Sequence, residues 1–218
     1  METSQISELL RPFLPQALET PSESRDVLAT AQLQSISMYI DLLLHWNSRI
    51  NLTAVREPRE IVTRHFGESF FAARHIFLER PKAGLHVIDV GSGAGFPGLP
   101  IKMWAAHVQL TLLESNHKKA TFLREVVRAM KLNDVHVFTV RAEDFSGKGD
   151  VVTLRAVGRF DSALAIAARL VAPPGRLAIL IGEGQVSRAR NLVPQFQWEK
   201  PIPIPVSASR VLMFGESG

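Results

Sequence analysis

The chain has no cysteine in 218 residues. Disulfides, thiolate zinc sites and iron–sulfur clusters are thereby excluded. So is chemistry that needs a cysteine nucleophile, such as covalent attack on pyrimidine C6. The absence fits a reducing compartment. Long apolar runs are also missing: stretches such as Leu177–Ile181 fall far short of the roughly 20 residues that span a bilayer. The opening METSQISELLRPFLP is polar and lacks the basic-then-apolar pattern of a secretory signal. Internal repeats and low-complexity segments are absent. These absences read as a cytoplasmic protein with no membrane contact and no metal.

What is present suffices for a full core, since 46% of the residues are hydrophobic. The length fits one domain plus an extension. The formal net charge is +4 and the pI about 9.8. Arginine supplies 18 of the 25 basic residues, and its planar fork suits bidentate phosphate contacts better than lysine does. An ordinary arginine-rich surface has the same composition, so charge alone leaves nucleic-acid binding open.

Residues 1–24 hold a short helical patch (Ile6, Leu9, Leu10, Phe13) and the linker TPSES. From about Arg25 to Asn47, Leu33, Ile36, Ile40 and Leu43 recur at helical spacing. Asn51-Leu52-Thr53 breaks that pattern, and a second helix is predicted from Pro58 to about Phe77. Pro81 and Gly84 close the block. Beyond Gly84 the period changes. Strands are predicted at 85–90, 109–114, 135–141, 151–155 and 176–182, with helices at 97–106, 116–131, 158–171 and 185–192 between or after them. Alternating strands and helices build a mostly parallel, doubly wound α/β sheet. The runs Phe196–Val206 and Arg210–Gly215 are joined by only SAS, which permits an antiparallel pair alone.

The sequence Val87–Pro100, VIDVGSGAGFPGLP, reads as strand, tight turn and helix start. Pro97 is expected at the first helical position. In an open parallel sheet, ligands sit at the carboxyl ends of the strands, so this turn marks the binding edge. Gly93 to Gly98 is a literal G-x-G-x-x-G, and Glu114 follows Gly93 by 21 residues, so a dinucleotide site has to be weighed. Asp89 favours S-adenosylmethionine instead. The pattern D-x-G-x-G-x-G that it opens resembles the first motif of class I methyltransferases, in which the strand-end acid faces that cofactor's cationic amino-acid portion, whereas a carboxylate there would repel a pyrophosphate. Glu114, ending the second strand, can accept from both ribose hydroxyls. Arg141, Ala142 and Glu143 end the third strand, where an acid would reach the adenine edge in a methyltransferase arrangement. Arg155-Ala156-Val157 ends the fourth, with Arg155 expected in the cleft. Arg141 and Arg155 are the candidate catalytic residues, with a surface ion pair to Glu143, Asp144 or Asp161 as the alternative for each.

In order along the chain, these motifs resemble the glucose-inhibited division protein B family, the bacterial small-subunit (16S) ribosomal RNA guanine-N7 methyltransferases. Trp46-Asn47 and Asn51-Leu52-Thr53-Ala54-Val55-Arg56 look like that family's W-N…N-L-T-x-x-R. Arg64-His65 with Glu68-Ser69 is similar to its R-H…D-S, and Asp89–Pro100 to its cofactor turn, including Pro97 and Pro100. Lys118-Lys119 with Phe122-Leu123, Arg141-Ala142-Glu143 and Arg155-Ala156 continue the series. The resemblance implies a class I S-adenosylmethionine-dependent fold, a Rossmann-like seven-stranded sheet with an antiparallel C-terminal pair. It implies a division into an RNA-contacting helical extension, 1–84, and a methyltransferase domain, 85–218. It implies that Gly91 and Phe96 line the cofactor, that Ala142-Glu143 touch its adenine, and that Arg155 meets cofactor and substrate. With the residue reading, Asp89, Gly93 and Glu114 join the cofactor set. Small-subunit rRNA or the 30S particle would be the partner of a monomer, contacted by Arg56, Arg64, His65, Lys118 and Lys119. Two departures are visible: Glu68 stands where the family usually has Asp, and Ile181-Gly182 where it usually has Lys-Gly.

Guanine N7 carries a lone pair and no proton at neutral pH, so its methylation needs alignment rather than a general base. The chain also lacks the Asn/Asp-Pro-Pro-aromatic motif of exocyclic-amine methylation; its one Pro-Pro, Pro173-Pro174, is expected in a loop before the fifth strand. Two other readings stand beside this one: an NAD-type oxidoreductase, from the literal glycine motif, and a non-catalytic ribosome-binding protein, from the missing lysine.

Overall fold

The computed structural model describes residues 1–14, 28–78, 84–155 and 158–218. The TPSES linker, the helix start at Arg25, and Arg80, Pro81, Ala156 and Val157 lie outside the described residues. The chain opens with α1 (Thr3–Leu10) and a 3-10 turn (Arg11–Phe13), followed by α2 (Thr30–Asn47). The second predicted helix begins as α3 (Pro58–Glu60). It runs on through a π-helical segment (Ile61–Gly67) into α4 (Glu68–Ile76).

The strands are β1 (His86–Val90), β2 (Gln109–Leu113), β3 (Val135–Phe138), β4 (Gly149–Arg155), β5 (Val171–Gly182), β6 (Phe196–Trp198), β7 (Ile202–Pro203) and β8 (Arg210–Ser217). Between them lie α5 (Gly98–Trp104), α6 (His117–Ala129), α7 (Phe160–Arg169) and α8 (Val186–Leu192). The sheet runs β3-β2-β1-β4-β5-β8-β6, with β7 off this path on β8. β1 to β5 are parallel, and β8 is antiparallel to β5, β6 and β7. The seven-stranded path and its antiparallel end are therefore as expected. The run 196–206 is split, because Pro201, Pro203 and Pro205 cannot all donate to one ladder.

Boundaries differ from expectation at several places, three of which shift named residues. β3 ends at Phe138, so Arg141 lies in the loop beyond it. β5 starts at Val171 and carries Pro173-Pro174 within the strand; the missing N–H groups coincide with the register shift between Gly149 and Val151. α5 begins at Gly98, which leaves Pro97 at the N-cap.

Side chains alternate across the sheet and build two apolar clusters. Val87, Leu110, Leu112, Ala178 and Leu180 face one way, toward α5, α6 and the N-terminal helices. Ile88, Val90, Leu113, Leu177, Ile179 and Ile181 face the other way, toward α7 and α8. Ile6, Phe13, Tyr39, Phe66 and Phe70 belong to the first cluster, so the N-terminal helices and the sheet share one core.

Candidate active site

The strand order turns between β1 and β4, and the glycine turn leaves β1 at that point. Gly91, Gly93 and Gly95 all take positive φ, at 67, 56 and 89°. Gly95 also needs its missing side chain, since a Cβ there would collide with the Tyr39 hydroxyl. That hydroxyl donates to Ala94 O at 2.5 Å, so α2 grips the turn from behind. Above Gly93 the space is open: a Cβ would meet nothing closer than Gly91 O at 3.8 Å.

The two strand-end acids take different parts. Asp89, expected to face a cofactor cation, is fully buried, and its carboxylate is used inside the protein. It accepts from Thr153 Oγ1 at 2.7 Å and from Gly98 N at 3.3 Å. Period-2 alternation explains this placement: Asp89 shares the sheet face of Val87 and sits under the start of α5. Burial raises its carboxyl from 3.8 to about 6, against the opposing pull of those donors. Glu114 does line the cleft. Its oxygens accept from Gly93 N at 2.9 Å and from Asn116 N at 2.7 Å.

The cleft has two lobes that meet at Gly91 and Glu114. The first, about 830 Å³, lies over the ends of β1 to β3 and is lined by Arg141, Ala142, Glu143, Arg159 and Ile166 among others. The second, about 540 Å³, lies between the glycine turn and the N-terminal helices, with Thr53, Arg64, His65, Phe96, Arg155 and Arg210 in its wall. The two candidate catalytic arginines are therefore separated. Arg141 is exposed in the first lobe, 3.6 Å from Glu143, the surface pairing weighed for it. Arg155 is buried in the second.

Around Arg155 the N-terminal block closes on the sheet. Its Nη2 donates to Arg64 O at 2.6 Å and to His65 Nδ1 at 3.0 Å, and lies 3.2 Å from Glu68 Oε2. Arg210 Nη2 approaches the same Glu68 oxygen at 3.0 Å. Burial lowers Arg155 to about 10, with Glu68 opposing. Burial raises the Glu68 carboxyl, and the two guanidinium groups oppose that. His65 is pushed from 6.5 to about 3 by burial and by the neighbouring arginines. Its ring stacks on Phe96 at 4.8 Å, and Phe96 stacks on Tyr39 at 5.3 Å, so Phe96 serves as wall rather than as a free platform.

The remaining predicted contacts divide. Arg64 and Lys119 line the second lobe, Arg64 also pairing with Glu60 at 2.8 Å. Arg56 and Lys118 are exposed and outside the lining of both lobes. Sequence reasoning missed Thr153, Glu68 as an ion-pair centre, and Arg210. Arg210 pairs in register with Gly182, so β8 places a cation beside the end of β5, where Ile181 itself is packed in the core. No local motif marks Arg210.

The family model described as rRNA small subunit methyltransferase G (GidB) matches residues 32–209. The chain belongs to this family. It is 37% identical over 170 residues to the ribosomal RNA small subunit methyltransferase G of Xylella fastidiosa (strain 9a5c), covering 77% of each chain. It is 43% identical over 143 residues to the protein of that name from Aquifex aeolicus (strain VF5), covering 64% of this chain and 71% of the relative. Among solved structures, the magnesium protoporphyrin IX methyltransferase of Synechocystis PCC 6803 with bound SAM has a TM-score of 0.66 at 13% identity, over 84% of this chain and 97% of that one. The fold is that of the class I S-adenosylmethionine-dependent methyltransferases. The first lobe suits a nucleoside in size and presents the Glu114 carboxylate beside an open glycine turn, so the residues fit that family's cofactor.

Proposed function

We propose that the protein transfers a methyl group from S-adenosylmethionine to N7 of a guanine in small-subunit ribosomal RNA. The observation that carries this reading is the family match over residues 32–209 on a fold whose cleft divides into two joined lobes. The cofactor supplies an electrophilic methyl on a sulfonium. Gly91, Glu114, Ala142 and Glu143 hold its nucleoside in the first lobe, and the turn at Gly93 leads into the second, where the base enters. Asp89 acts on this site only through the turn it holds.

The chemistry of the second lobe supports N7. An exocyclic amine or a hydroxyl would need a base, and the groups present are engaged otherwise. His65 is neutral with both ring nitrogens occupied, and Glu114 is held by two backbone N–H groups. A lone pair needs none. Alignment alone supplies on the order of 7–11 kcal/mol. Rigid walls of Phe96, His65 and Arg155 serve that purpose.

Charge placement supports RNA. Residues 117–131 hold Lys118, Lys119, Arg124, Arg128 and Lys131 with only Glu125 against them, a formal +4 that equals the net charge of the whole chain. Among the described residues these five cations form no ion pair within 4 Å, and the helix carrying most of them starts at the cleft beside Glu114. Phosphates engaged there and by Arg56 and Arg64 would position the substrate and make binding fall with salt. The helical extension 1–84 and the domain 85–218 thus share substrate contact, in the cytoplasm where ribosomes are made.

The test is transfer of labelled methyl to small-subunit rRNA, free and assembled, with the modified atom mapped. Guanine N7 is the expected product, and Glu114→Ala is expected to weaken cofactor binding at least about tenfold by calorimetry. Methyl on another atom, or NAD bound in place of the cofactor, overturns the assignment.

A further inference from the structure

The loop after α2 is fixed by one side chain. Asn47 Oδ1 accepts from Leu52 N at 2.9 Å and from Thr53 N at 3.0 Å, while its Nδ2 donates to Thr53 O at 2.9 Å. Thr53 is thereby held in the wall of the second lobe. Its hydroxyl oxygen lies 2.8 Å from His65 Nε2 and accepts from Val55 N at 3.1 Å.

The direction of the His65 contact follows from Arg155. A guanidinium only donates, so His65 Nδ1, at 3.0 Å from Arg155 Nη2, must accept. The ring proton then sits on Nε2 and points at Thr53. Both acceptor positions of the Thr53 hydroxyl are filled, by His65 and by Val55. Its own hydrogen remains, among the described residues, without an acceptor. The chain Arg155 to His65 to Thr53 thus converts a buried cation into one neutral hydrogen-bond donor in the cleft wall, with the hydroxyl unable to act as acceptor for a ligand.

We propose that Thr53 reads the carbonyl O6 of the target guanine, with its hydroxyl held as a donor by His65. The inference rests on the guanine-N7 reading above. O6 is the acceptor beside N7 on the same edge of guanine, and adenine carries a donor amine there. A wall hydroxyl confined to donating matches the first and leaves the second unpaired. His65 is a positioning residue: it touches Thr53 and Arg155, and burial keeps it neutral.

Two bases separate this role from others: guanine, and 2-aminopurine, which lacks O6, each placed at the target position of the RNA. Wild-type enzyme is expected to prefer guanine by about tenfold or more in kcat/KM, as a site built to hydrogen-bond a substrate group does. Thr53→Val should reduce that preference to the intrinsic ratio of the two bases, and Thr53→Ser should retain it. Thr53→Ala gives a second hydroxyl-free variant should the branched side chain disturb the loop. His65→Phe keeps a ring on Phe96 but can neither accept nor donate; it should lower the preference as well, which a merely packing histidine would not do. Cofactor affinity should be the same in all of them. If Thr53→Val and Thr53→Ala discriminate as strongly as wild type, or if they lose cofactor affinity, the assignment of Thr53 to O6 is overturned while guanine methylation stands. If wild type fails to methylate guanine at N7, the functional reading falls and this one with it.

Discussion

The two lobes of the cleft each contain an arginine at or past the end of a strand and a glutamate near it, yet they are built oppositely. In the first lobe the Arg141 side chain is 71% exposed and its partner Glu143 49%. In the second, Arg155 is 5% exposed and Glu68 3%. The difference comes from the π-helical segment and α4, which lie over the end of β4 and leave the end of β3 open. Exposed pairs are screened and contribute little. Buried ones depend on every partner, because a charge left alone has no water to turn to. One lobe can therefore admit a ligand by exchanging solvent, while the other is held in shape before any ligand arrives. Arg155→Ala breaks that comparison most severely. It leaves Glu68 with Arg210 alone and strands the Arg64 carbonyl and His65 Nδ1, and is expected to cost about 3–5 kcal/mol of stability. Arg141→Ala should cost about 1 kcal/mol or less. Denaturant midpoints of the two variants measure this directly. Similar losses from both would show that the second lobe is open to water.

Asp89 and Glu114 repeat the contrast within one turn. Glu114 faces the place where the lobes meet; Asp89 is sealed behind it. In the unfolded chain Asp89 ionises near 3.8, whereas in the folded protein it keeps its proton up to about 6. Its contribution therefore favours the fold at acid pH and is lost as pH rises through about 6, on the order of 3 kcal/mol over that window. Asp89→Asn cannot ionise. The stability of that variant relative to wild type should improve by about that amount between roughly pH 4 and pH 7, read as the difference in urea unfolding free energy. A difference that stays constant with pH would place the carboxylate in solvent, facing the cleft as the motif suggests.

How far the sequence carried the structure follows from the range of each signal. The parallel strands and their helices were legible because period-2 and period-3.6 patterns are local, and the glycine turn because four glycines in eight residues have few other uses. The family motifs mark residues that the fold brings together: Thr53, His65 and Arg155 line the second lobe, with Asn47 held to Thr53 and Glu68 to Arg155. Their wiring was not legible. Which nitrogen of His65 accepts depends on an arginine 90 residues away. Arg210 joins Glu68 only because β8 runs back beside β5. Asp89 shares the Val87 face by strand alternation, but its partners Thr153 and Gly98 lie 64 and 9 residues away, and no local pattern shows that they engage its carboxylate.

A further test concerns how the N-terminal block shapes the glycine turn. Tyr39 is the chain's single tyrosine and is wholly buried. Burial, with Asp89 nearby, pushes its hydroxyl well above the ordinary value, so it stays a donor throughout the working range. Its contact to Ala94 O spans 55 residues and is a direct polar tie from α2 to the turn. Tyr39→Phe keeps the ring, and with it the stack on Phe96 and the edge contact to Phe66 at 5.2 Å. Only the hydroxyl is lost, leaving the Ala94 carbonyl buried beside a small void. The expected cost is about 1–2 kcal/mol, less than for Arg155→Ala because no ion is stranded. If the turn is shaped by this tie, hydrogen exchange at Gly93 and Gly95 should also quicken more than the global loss of stability accounts for. Exchange that rises only in step with global stability would mean that the glycines and Asp89 hold the turn by themselves. The N-terminal helices would then serve the second lobe alone.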